Sequence, residues 1–92
     1  MLKVIKFSAE WCGPCKMFAP IYDKVKTDFE STEIEFQKVD VDKDGEMAIQ
    51  FNIMSVPTVV FIKDGKEAHR FSGAYDEAEL VDIIKTLTKE DK

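Results

Sequence analysis

One seam constrains this chain more than anything else in it. Residues 2–8, rich in Val, Ile and Phe, read as a strand, and from 13 to about 30 the residues Phe18, Ile21, Tyr22, Val25 and Phe29 recur at helical spacing. Between the two lies Trp11-Cys12-Gly13-Pro14-Cys15, which holds both cysteines of the chain. A strand-to-helix junction puts Cys12 at or just before the helix N-terminus, where unpaired N–H groups and the positive end of the helix dipole favour an anion. A thiolate is such an anion, and it is the nucleophile of disulfide exchange. Cys15, one turn further on, is placed to attack a mixed disulfide formed at Cys12. Pro14 suits a first helical turn, which has no use for its missing N–H. The pair therefore points to redox chemistry. Half of a zinc site and a structural disulfide are the other uses of the same spacing, but zinc in a structural site takes four protein ligands, and beyond this pair there is only His69, far along the chain.

The remainder alternates. Residues 34–41 read as a strand and 45–51 as a short helix carrying Met47, Ala48 and Phe51. The continuous apolar run 57–62 reads as a strand covered on both faces. Lys63-Asp64-Gly65 is a hairpin turn signal, and 66–72 returns as a more polar edge strand. Asp76 with Glu79 forms a capping-box pattern opening a last helix with Leu80, Val81, Ile84 and Leu87 inward. Pro20 is expected to kink the first helix. The order βαβαββα predicts an α/β fold with helices on both faces of a four-stranded mixed sheet. Strands 2–8, 34–41 and 57–62, joined by helical crossovers, are expected to be parallel, with 66–72 antiparallel. Ligands meet such sheets at the C-terminal strand ends, where the cysteine pair leaves the first strand.

Composition narrows the function classes. With 45% hydrophobic and 34% charged residues, the 92-residue chain reads as one globular domain over 1–92, and as a monomer. A formal net charge of −5 without a basic run argues against nucleic-acid binding. No stretch has the length of a bilayer span, so no membrane partner is expected. Strand residues begin at once, leaving no room for a signal peptide, and a cytoplasmic address follows as the expectation. There a stable structural disulfide is disfavoured, which leaves a catalytic or metal-binding pair. Asp40-Val41-Asp42-Lys43-Asp44-Gly45 copies the first half of a calcium loop, but Phe51 stands where the bidentate Glu belongs. Those acids read as turn and cap residues, and His69 as a surface residue of the edge strand.

The stretch FSAEWCGPCKMFAP (7–20), with Lys38 to Asp42, Ser55-Val56-Pro57-Thr58, Asp64-Gly65 and Gly73, resembles the thioredoxin family over nearly the whole chain. The resemblance implies a thioredoxin fold with strands in the spatial order 34–41, 2–8, 57–62, 66–72. It implies a protein disulfide reductase in which Cys12 attacks a target disulfide and Cys15 resolves the mixed disulfide, leaving a reversible Cys12–Cys15 disulfide. No other cofactor is implied, and no metal. Electrons would come from a separate NADPH-fed thioredoxin reductase, and the substrates would be disulfide-containing client proteins. Trp11, Gly13 and Pro14 belong to the implied active-site loop. The resemblance further implies a cis Val56–Pro57 bond beside that loop, with the Val56 backbone open to strand-like pairing with a client and Trp11, Pro57, Gly73 and Ala74 bordering the same surface. The chain also begins after the first strand and helix expected of a full-length thioredoxin.

Lys6 departs from the family, which places a buried Asp here beneath the second cysteine; Ser8 likewise replaces a Trp. Lys38 matches a family lysine facing that Asp, so two lysines are expected to approach each other under the site. Either one snorkels its ammonium to solvent, or the added positive charge lowers the thiol pKa values. Glu10 or water would then manage the proton at Cys15. Two further readings stand beside the reductase: a glutaredoxin-like, glutathione-coupled thiol carrier, and a non-catalytic partner-binding module that has kept the fold.

Overall fold

In a computed structural model that describes residues 1–89, the chain runs through β1 (Leu2–Ser8), α1 (Gly13–Phe29), β2 (Ile34–Asp40), α2 (Gly45–Gln50), β3 (Thr58–Lys63), β4 (Lys66–Ser72) and α3 (Glu77–Thr88). These form one four-stranded sheet in the order β2-β1-β3-β4. The predicted elements are all present, with ends differing by a residue. The helix at α1 runs unbroken through Pro20. Asp64 and Gly65 both take positive φ, 53° and 86°, as a two-residue hairpin turn requires. Asp76 and Glu79 exchange both bonds of the capping box at the start of α3.

One expectation is corrected. β1 and β2 are parallel, but β3 runs antiparallel to β1, with Phe7 opposite Thr58 and Leu2 opposite Lys63. The reason is length. A parallel crossover must carry the chain back along a seven-residue strand, about 23 Å. The six residues of α2 advance only about 9 Å, and the rest of the 41–57 connection is folded into turns and bends at 41–43, 51–52 and 55–57 instead of running back along the sheet. The chain therefore re-enters the sheet at the end it left.

The core lies mostly on one side of the sheet. Leu2 and Val4 of β1, Val59 and Phe61 of β3, and Phe71 of β4 pack against Phe18, Tyr22 and Val25 of α1 and Leu80 and Ile84 of α3. The odd residues Ile5 and Phe7, with Val39 and Val60, face the other way beneath Met47 and Phe51. The Tyr22 hydroxyl lies 2.9 Å from the Val4 carbonyl and 2.8 Å from that of Gln37, fixing α1 over the β1–β2 junction. Burial pushes its pKa above the ordinary tyrosine value. No helix among the described residues is long and apolar enough to cross a membrane.

Candidate active site

β1 ends at Ser8, and the chain turns through a bond from the Cys12 N–H to the Ala9 carbonyl at 3.2 Å. Cys12 is the N-cap of α1, with extended backbone angles (φ −90°, ψ 112°), and Gly13 and Pro14 supply the first turn. The Cys12 sulfur accepts the Cys15 backbone N–H at 3.2 Å, taking up one of the helix's unpaired donors. Cys12 and Cys15 are joined as a disulfide with Cα atoms 5.2 Å apart. Both residues are only 4% exposed, whereas Trp11 is 70% exposed and Gly13 and Pro14 are open to solvent. The reactive pair thus sits in a shallow seat with an exposed rim.

The second wall comes from the loop before β3. The Val56–Pro57 bond is cis, and the Val56 carbonyl oxygen lies 3.7 Å from the Cys12 sulfur. Below, the Thr58 hydroxyl donates to the Ser55 carbonyl at 2.7 Å and lies 3.1 Å from the Ser72 hydroxyl, bracing the loop against β4. Gly73, at φ 98°, donates its N–H to the Pro57 carbonyl at 2.8 Å. The structure therefore brings Trp11, Cys12, Cys15, Val56, Pro57 and Gly73 to one end of the sheet, with Ala74 exposed beside Gly73.

The charged candidates behave differently. Lys6 and Lys38 are direct neighbours across the β1–β2 ladder. The Lys38 ammonium turns out to pair with Asp23 at 2.7 Å, both side chains about half exposed. Lys6 stays inside, 5% exposed, with its nitrogen 5.1 Å from the centroid of the Tyr22 ring. Burial lowers its pKa, the Asp23 carboxylate opposes that shift, and Lys38 adds to it. Glu10 is exposed and pairs with Lys43 at 3.4 Å.

One functional contact was missed in the sequence. Asp42 accepts the Trp11 indole N–H at 2.8 Å, which orients the exposed ring at the rim. In the sequence Asp42 reads as the end of the Lys38–Asp42 stretch of the family resemblance and as part of an acidic turn, with no contact to Trp11 implied. The signal lay in the topology: parallel β1 and β2 end side by side, so the residues after β2 meet the loop after β1. The other acids of that turn are engaged as well. Asp40 accepts the Asp42 N–H at 2.9 Å and Asp44 accepts the Met47 N–H at 3.2 Å. Among the described residues no cluster of three or more His, Cys, Asp or Glu is placed to hold a metal ion.

Comparison with known proteins gives one consistent answer. The thioredoxin family model matches residues 1–86. The thioredoxin of Mycoplasmoides gallisepticum is 42% identical over 82 residues, which are 89% of this chain and 80% of that relative. The thioredoxin of Mycobacterium tuberculosis strain H37Rv is 39% identical over 88 residues, covering 91% of this chain and 75% of the relative. Among solved structures, the X-ray structure of Fasciola hepatica thioredoxin superposes with a TM-score of 0.86 at 45% identity, covering 95% of this chain and 81% of that one.

Proposed function

This chain belongs to the thioredoxin family and is a thiol–disulfide oxidoreductase, and from that premise we propose how its residues divide the work. Cys12 is the attacking thiolate. The observation that carries this assignment is its place as N-cap of a seventeen-residue helix, its sulfur accepting the Cys15 N–H. Those donors and the helix dipole stabilise negative charge on sulfur. In the reduced protein the Cys12 thiolate attacks one sulfur of a client disulfide and the other leaves as a thiolate. Cys15 then loses its proton to solvent and attacks the Cys12 sulfur. The client leaves as a dithiol, and the Cys12–Cys15 disulfide holds the oxidising equivalents.

The client lies as an extended segment along the Val56 backbone, beside Pro57, Gly73 and Ala74, with Trp11 packing against it. Backbone pairing of this kind tolerates many sequences, which suits a reductase with many protein substrates. Lys6 places a cation in the strand beneath the site, and it acts on the thiols through charge; water serves as the proton acceptor for Cys15, with Glu10 tied to Lys43. The redox-active disulfide needs no further cofactor. A separate NADPH-fed reductase returns the electrons, and the cytoplasm is the compartment that keeps such a pair cycling. The glutaredoxin-like and non-catalytic readings are not favoured: the family match is to thioredoxins, and both cysteines are in place and joined.

The test is a pair of substitutions. Cys12→Ser abolishes reduction of a protein disulfide such as insulin. Cys15→Ser still attacks but stalls as a covalent complex that a reducing agent releases. A Cys12→Ser variant that kept its reductase activity would end this assignment.

A further inference from the structure

The mechanism leaves the exposed methionines unused. Met54 is 87% exposed and Met17 is 74% exposed, whereas Met47 is half-buried against the sheet. Met54 stands two residues before Val56, and with Trp11, Val41, Ile53 and Val56 it lines a shallow cavity of about 210 Å³. Val56 also turns its carbonyl to the Cys12 sulfur at 3.7 Å, and Trp11 precedes Cys12 directly. Two of its lining residues are thus neighbours of Cys12, and its walls are apolar apart from Ser55. Apolar cavities of about 150 Å³ accept a benzene ring, so this one has room for an aliphatic or aromatic client side chain. That use of the cavity rests on the client-docking reading given above.

We propose that Met54 is a peroxide modification site, and that its sulfoxide closes this cavity to apolar client side chains. One oxygen passes from hydrogen peroxide to the thioether sulfur. The S–O bond forms as the O–O bond breaks, sulfur loses two electrons, and the departing oxygen leaves as water carrying both peroxide protons. In the disulfide form neither Cys12 nor Cys15 offers a thiolate to compete for the oxidant, and Met54 is the most exposed methionine. Oxidation turns a flexible apolar side chain into a polar one. Against Trp11 and Val56, the new S–O dipole loses its water when an apolar client group seats, which weakens docking without touching the cysteines.

The experiment treats the disulfide form of the whole protein with hydrogen peroxide, removes the oxidant, and locates the added oxygen by mass spectrometry. Turnover is then measured on insulin and on bis(2-hydroxyethyl) disulfide, which has no side chain to fill the cavity. Met54 takes up oxygen first. The kcat/KM for insulin falls about tenfold while turnover of the small disulfide is unchanged. Met54→Leu resists the treatment and Met17→Leu responds as the parent does. Full insulin turnover with Met54 oxidised, or an equal loss in Met54→Leu, overturns the proposal. Untreated protein that failed on insulin altogether would overturn the reductase assignment, and this inference with it.

Discussion

The two faces of the sheet are built to different standards. One is covered by α1 and α3, which bury Cys15, Phe18, Tyr22, Val25, Leu80 and Ile84. The other is covered by α2, a six-residue helix that buries none of its residues fully. Beside α2 lies an open cavity of about 770 Å³ floored by Ile5, Met47, Phe51 and Ile62. On the thick face, aromatic rings interlock: Phe18 meets Phe71 edge-on at 6.1 Å, and Tyr22 meets Phe36 at 5.7 Å. On the thin face Phe7 and Phe51 approach at 5.6 Å, but Phe51 is only half-buried. Fully buried packing is concentrated on one side of the sheet. The loops that follow α2, with Met54 and Val56, extend from the more lightly held side to the reactive pair. Parts that meet varied partners belong to the less firmly packed end of a structure.

Truncating one ring on each face measures this contrast most directly. Phe18→Ala is expected to cost about 4 kcal/mol and Phe51→Ala about 2 kcal/mol in urea denaturation. Equal losses would show that α2 is as firmly held as α1. A smaller effect is expected where the thin side meets the site. Asp42→Ala removes the acceptor of the Trp11 indole, costing about 0.5 kcal/mol in stability, and lowers kcat/KM for insulin severalfold. Unchanged insulin kinetics would mean that the ring needs no orienting. The smallest effect concerns Lys6, the buried cation of the thick face among the described residues. The folded-state pKa of Lys6 lies below its unfolded value of 10.5, so between the two the unfolded chain holds more protons and stability rises with pH. Lys6→Met removes that slope. Its midpoint should exceed the parent's most at pH 7, and the gap should narrow as pH approaches 10. A gap independent of pH would mean that Lys6 keeps its charge in the fold.

Local signals in the sequence were legible because each is settled by a few neighbouring residues. The cap at Cys12, the turn at Asp64-Gly65, the capping box at Asp76 and the buried run before Lys63 depend on chemistry within about one turn of chain. The direction of β3 was not legible in that way. It depends on how the whole 41–57 connection folds between β2 and the sheet, which segments distant from it decide. The same holds for charge. Lys38 was expected to crowd Lys6, but Asp23, one residue beyond Tyr22 on α1, draws its ammonium to the surface. Asp42 looked like a turn residue until β2 placed it beside Trp11. Motif residues thus revealed themselves, whereas their supporting partners emerged only with the tertiary arrangement.

The Tyr22 hydroxyl carries a mechanical consequence. It has one proton and two carbonyls within reach, Val4 and Gln37, so it can hand its bond from one strand to the other without giving up its hold. Cys15 lies on the same face of α1, seven residues nearer the N-terminus, about 10 Å along the axis. The helix that carries Cys15 is therefore tied through one side chain to both parallel strands, and Phe18, buried between Cys15 and Tyr22, packs the intervening turn into the core. The position of the second cysteine is thus referred to β1 and β2 at once.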